Sequence, residues 1–125
     1  METDIQRMSE DFGVRIVRMY RFLSDRFRDY DVFRQILKSG TSIGANVAEA
    51  ENAISKKNFV AKMYIALKES AETLYWLRLL YRCGYLSKAS FGSMYSDCQS
   101  IHRVLTSITK TSTERLNETA KNTVL

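Results

Sequence analysis

Proline is absent from all 125 residues and glycine occurs only five times. Collagen-like repeats, flexible linkers and turn-dense all-β folds depend on those residues, so such architectures are excluded. Cysteine occurs twice, at Cys83 and Cys98. Two thiols make no disulfide scaffold, and both read as buried thiols in a reducing compartment. The single histidine, His102, has no second histidine and no cysteine at metal-ligand spacing. No glycine-rich loop is followed by Lys-Ser or Lys-Thr, so zinc and P-loop chemistry have no motif here. No His or Asn constellation supports either cysteine as a nucleophile, and a protein without catalytic activity or cofactor is expected. No apolar run approaches the ~20 residues of a membrane span, and no charged-then-apolar leader with a cleavage site is present. The absences point to a cytoplasmic, all-α, single-domain protein with no membrane partner.

Charge is what the chain has in excess, and it is unevenly placed. The net charge is +5, from 19 basic and 14 acidic side chains. Residues 1–55 carry eight basic and nine acidic groups, residues 56–110 nine basic and three acidic, and residues 111–125 two of each. The positive field therefore belongs to the second half of the folded region, where it favours polyanions such as nucleic acid. A pI of 9.3 that merely keeps the protein soluble is the plain alternative.

Apolar periodicity marks four helices. Thr3 and Gln6 have the spacing of a capping box, and Ile5, Met8, Phe12, Ile16, Met19, Leu23 and Phe27 follow at steps of three or four. Asp31 is the expected cap of a second helix over about 32–52, with Phe33, Ile36, Leu37, Ile43, Val47 and Ala50 on its apolar face. In its middle Gly40, Gly44 and Ala48 are four apart and lie on one side. Each interior glycine costs about 1 kcal/mol against alanine, so two on one face predict a helix approach that a Cβ would block. Ser55 caps a third helix over 56–83, spanning ~42 Å, which Gly84 ends. A fourth helix after Ser87 carries Phe91, Met94, Cys98, Ile101, Leu105 and Ile108. The short connection between the last two makes them antiparallel neighbours. The reading is a bundle over 1–110 and a polar, frayed tail over 111–125.

The third helix has three faces. On a wheel with Lys57 as zero, Phe59, Met63, Ala66, Ser70, Leu74, Leu77 and Tyr81 occupy roughly 180–260°, the expected core stripe. Ile65, Trp76 and Leu80 lie at roughly 80–140°, beside the core. Tryptophan is enriched at interfaces, so this patch fits an oligomer contact, or packing of Trp76 on a helix of its own bundle. Opposite the core, Lys57, Tyr64, Lys68, Tyr75, Arg78 and Arg82 fall within roughly −60° to +20° and form a stripe ~37 Å long. Basic groups neutralise phosphates and tyrosine stacks on unpaired bases, so these six are the candidate nucleic-acid-binding residues. A solvated face or a subunit contact has the same spacing. His102 and the acids and amides Asn46, Glu49, Glu69 and Glu72 read as structural, with the last two pairing with lysines around Lys68 or with arginines of the first helix.

Four segments together resemble a known family. They are Ser42-Ile43-Gly44-Ala45-Asn46-Val47-Ala48-Glu49-Ala50, Ser55-Lys56-Lys57-Asn58-Phe59, the run Ile65 to Leu74, and Gly84-Tyr85-Leu86-Ser87. Over roughly residues 5–110 the chain is similar to the four-helix-bundle proteins encoded in intervening sequences of bacterial 23S rRNA genes. Those are similar in turn to accessory variability proteins of diversity-generating retroelements. Family members typically show Ser-Ile-Pro-Ser-Asn-Ile-Ala-Glu-Gly in helix two; here Gly44 replaces the proline and Ala50 the last glycine. Asn58 stands where the family's helix-three box has an acid, which weakens the reciprocal cap. The resemblance implies an antiparallel up-down four-helix bundle that assembles as a homopentameric ring or barrel, without enzymatic activity. Because the retroelement relatives bind nucleic acid and a reverse transcriptase, it extends the expectation to nucleic acid and a protein partner of that kind. The competing expectation is a purely structural or protein-interaction oligomer whose charge is incidental.

Overall fold

The computed structural model describes residues 2–124, and among them the regular structure is four helices: α1 (Asp4–Arg26), α2 (Tyr30–Glu51), α3 (Lys56–Arg82) and α4 (Lys88–Val124). The expected caps account for most boundaries. Thr3 Oγ1 accepts from the Gln6 backbone N–H, and the Gln6 side chain accepts from the Thr3 N–H, closing the capping box. Ser55 Oγ accepts from the Asn58 N–H without reciprocation. Gly84 ends α3 with φ +85°, its N–H bonded to the Tyr81 carbonyl and that of Tyr85 to the Leu80 carbonyl. This pair of bonds satisfies the last carbonyls of α3 and needs a left-handed residue at Gly84.

Two boundaries differ from expectation. Asp31 does not cap α2. The helix begins at Tyr30, the Phe33 N–H bonds the Asp29 carbonyl, and Asp31 lies in the first turn, paired with Arg34 at 3.1 Å. The polar 111–125 segment was expected to be frayed, but α4 continues to Val124. Past Gly92 no glycine or proline interrupts it. Its next turns still have something to touch, since Ser112, Thr113 and Leu116 are half-buried and Thr113 Oγ1 bonds the Tyr64 hydroxyl.

α2 packs against both α1 and α3, and α3 against α4, while α4 meets α1 more lightly. Ser70 bonds His102, Arg78 bonds Tyr95, and Tyr81 stacks on Phe91, so positions rising along α3 meet positions falling along α4. Phe12, Ile16, Leu23, Phe33, Ile36, Ile43, Met63, Leu77, Leu80, Ile101 and Leu105 fill the shared core. Tyr85 plugs one end, edge-on to both Phe27 and Phe33 with centroids at 4.8 and 5.2 Å. Arg15 ties α1 to α4 through Asp97 and Ser93.

The glycines of α2 mark a close approach. A Cβ at Gly40 would lie 2.7 Å from Ile16 Cγ1, and one at Gly44 would lie 3.3 Å from the Ser9 carbonyl oxygen. Ile16 is fully buried and has little room to yield. Gly13, on α1, has open space around the same imagined atom. Gly40→Ala should therefore lower thermal stability by about 1–3 kcal/mol, overpacking outweighing the gain in helix propensity. Gly13→Ala should raise it by up to about 1 kcal/mol. Thermal melts of the two variants check the contrast, and a gain from both would mean that Ile16 can give way.

Candidate nucleic-acid interface

The side chains proposed from sequence sit on α3 because that helix is bordered on two sides. α2 covers one flank, where Thr73 Oγ1 donates to Ser39 Oγ at 2.9 Å. α4 covers the other, where Cys98 Sγ reaches the Ser70 carbonyl and His102 meets Ser70. What remains is a narrow solvent-facing strip. Lys57, Tyr64, Lys68, Tyr75, Arg78 and Arg82 are all exposed on it. The ion pairs of the described residues use Arg7, Arg15, Arg34 and Lys62, so Lys57, Lys68, Arg78 and Arg82 stand in none.

The tyrosines of the strip are not equivalent. Tyr64 is held by the Thr113 hydrogen bond, and Tyr75 lies edge-on to Trp76 at 5.0 Å and 70°. Tyr81, assigned to the core stripe, is instead 37% exposed and stacked on Phe91 at 4.5 Å and 11°. Phe91 continues to Tyr95 at 5.1 Å and 32°, and Arg78 Nη1 donates to the Tyr95 hydroxyl at 2.9 Å. Sequence reasoning missed this cluster. Its signal was Tyr95 four residues after Phe91, one turn along the same face of α4.

Leu80 corrects the proposed oligomer patch. It is completely buried inside the chain's own core, and its carbonyl takes the Tyr85 N–H at the turn. The buried arc of α3 is wider than the stripe drawn from periodicity, taking in Val60, Thr73 and Leu80, because two helices flank it. Phe59 and Leu74 lie half-buried at its edge. Ile65 and Trp76 are half-buried, and Trp76 packs against the core with its indole Nε1–H buried and unbonded.

The remaining candidates are structural in their geometry. Ser70 Oγ donates to the Leu67 carbonyl at 2.7 Å, so the His102 Nδ1–H donates to Ser70 at 2.8 Å. Ser70 is fully buried, leaving this Ser–His pair no approach for a substrate. Glu69 and Glu72 were expected to pair with cations. Burial first, then the charge of Glu72 and its hydrogen bond, push the Glu69 carboxyl up, against the pull of Lys68 and Lys38. Asn46 Nδ2 donates to the Ser42 carbonyl, and Glu49 reaches Lys62 at 3.5 Å. On α1, Arg15 is engaged with Asp97, while Arg18 and Arg21 line an open groove of about 880 Å³ between α1 and α2. Among the described residues no group of His, Cys, Asp and Glu is placed to hold a metal ion, and no helix is long and apolar enough to cross a membrane.

The two cysteines, both expected to be buried, separate clearly. Cys98 is buried and its thiol is pushed up to about 12, by desolvation first and by the neighbouring Asp97 charge second. Cys83 is exposed at the end of α3. A maleimide should add once per native chain, at Cys83, and a second time only after unfolding. Intact mass before and after denaturant reads this directly, and rapid double labelling of the native protein would contradict the burial of Cys98.

Comparison with known proteins agrees with the fold. The family model described as 23S rRNA-intervening sequence protein matches residues 1–107. A crystal structure of a protein of unknown function, from the S23 ribosomal protein family of Bacteroides thetaiotaomicron, is 45% identical, with a TM-score of 0.83. The match covers 85% of this chain and 98% of that one. Among curated proteins, none matches.

Proposed function

Starting from the fact that the chain belongs to the 23S rRNA-intervening sequence protein family, we propose that it is a non-catalytic, basic homo-oligomer that binds nucleic acid without strong sequence preference and serves as an adaptor for a protein partner. The carrying observation is the exposed strip of α3, with four cations in no ion pair and aromatic rings between them. Unpaired cations attract phosphates most strongly, because no local acid must first be displaced. RNA and DNA offer the same phosphates, and the proposal covers both. The rise of α3 contacts against the fall of α4 contacts supports an antiparallel up-down bundle.

The oligomer is a pentameric ring in this proposal. Five copies at +5 carry +25, repeating the basic strip around one axis. Light scattering should then give about five times 14.5 kDa, near 72 kDa. A monomer at micromolar concentration would remove the ring. Ile65 and Trp76 remain as contact residues, with Leu80 excluded by its burial.

Arg78→Gln with Arg82→Gln tests the ligand. Both side chains are exposed and outside the core, so the helix and the assembly should persist. Affinity for an RNA hairpin should fall on the order of tenfold, and the slope of log affinity against log salt should shrink by about one to two. Equal binding by the double variant would move the site off α3. No binding by the wild type at about 50 mM salt would leave the structural, protein-interaction oligomer as the surviving reading.

A further inference from the structure

Tyr81, Phe91 and Tyr95 form one column of rings across the corner where α3 turns into α4. The first two lie nearly parallel at 4.5 Å, and the third continues at 5.1 Å with a 32° tilt. Phe91 is the middle ring. Tyr81 is an end ring, and it is 37% exposed although Phe91 covers one of its faces. The other end is pinned, since Arg78 donates to the Tyr95 hydroxyl. No side chain roofs the corner from Gly84 or Gly92, both of which look onto open space.

Along the chain through this corner the charge has one sign. Between Thr73 and Ser96 there is no aspartate or glutamate, while Arg78, Arg82 and Lys88 are all present and exposed. Arg78 lies one turn before Tyr81, and Lys88 one turn before Phe91, so cations border both helices of the corner. The mid-helix tyrosines lack this arrangement: Tyr64 is tied to Thr113, and Tyr75 is edge-on to Trp76.

We infer that the Tyr81–Phe91–Tyr95 column is a stacking platform for an unpaired base of single-stranded nucleic acid, with Arg78, Arg82 and Lys88 on the flanking phosphates. The inference rests on the nucleic-acid reading above and names its site and strand preference. A base inside a duplex has both faces covered by its neighbours, whereas an unpaired base can extend a column of protein rings. The absence of acids across the corner favours a polyanion over a protein segment as the occupant.

The test compares the full chain with Tyr81→Leu and Tyr81→Phe. Fluorescence anisotropy follows an oligouridine of about 12 nucleotides and a duplex RNA of equal length. The wild type should prefer the single strand. Tyr81→Leu should lose about five- to 100-fold on it, with duplex binding unchanged, and Tyr81→Phe should retain wild-type affinity. Binding by the wild type with no loss in Tyr81→Leu, or with equal loss on both ligands, overturns the platform and leaves the proposed function standing. Failure of the wild type to bind either ligand at about 50 mM salt overturns both. A changed oligomer mass in Tyr81→Leu assigns the column to a subunit contact and also overturns it. A second readout needs no variant: a 4-thiouridine oligonucleotide should cross-link wild type in the peptide holding Tyr81. A cross-link confined to Tyr64 or Tyr75 overturns the platform.

Discussion

The distance between α1 and α2 is set by the absence of a side chain at Gly40. An atom there would overlap Ile16, which is buried on every side, so the two backbones can meet only because the Cβ is missing. One turn along, Gly44 passes the Ser9 carbonyl. With α2 held this close to α1, neighbouring Ser39 turns to α3 and takes the hydroxyl bond from Thr73. That bond is one of the contacts by which α2 holds α3. Gly44 replaces a proline of the family pattern, and in this chain a small residue at the crossing serves close packing rather than a kink.

α3 is the helix on which burial and exposure compete most directly. α2 and α4 both lean on it, so its buried arc widens to take in Leu80 and Thr73, while the polar residues share a narrow strip. A strip of that kind concentrates charge. Cations placed side by side with few acids among them repel one another, a cost that a bound polyanion relieves. Acids are few here: Glu72 is exposed one turn after Lys68, Glu69 is half-buried with its carboxyl pushed up by burial and by the charge of Glu72, and Asp97 is occupied by Arg15. The unpaired strip is thus a product of both composition and packing.

The interactions that hold the far end of the bundle are weaker in kind. There α4 lies beside the first half of α3, held by a hydroxyl pair at Tyr64 and Thr113 and by the half-buried Leu116. Ile54, at the tip of the α2–α3 connection, is 97% exposed. At the opposite end Tyr85 packs on Phe27 and Phe33, and the aromatic column adjoins the same turn. The end packed with aromatic rings is therefore the one that carries the platform, which suits a surface that must present a ring without reorganising.

Much of this was legible in the residues themselves. Thr3, Ser55 and Gly84 bound their helices as local hydrogen bonding dictates, and such bonds depend only on neighbours three or four positions away. The small-residue stripe of α2 and the charge of α3 were likewise visible, since both are periodic. Other features needed the fold. Leu80 and Tyr81 are adjacent in sequence, the first expected beside the core and the second within it, yet the fold buries Leu80 and leaves Tyr81 stacked and open. Asp31 lost the cap because the chain enters the helix two residues earlier. By itself the sequence determined four amphipathic helices, the starts of α1 and α3, the stop of α3, and a basic second half, because those are properties of a chain and its immediate neighbours. Which flank of α3 faces water, and which rings join into a column, was decided only when α2 and α4 closed on it, because those contacts unite residues far apart along the chain.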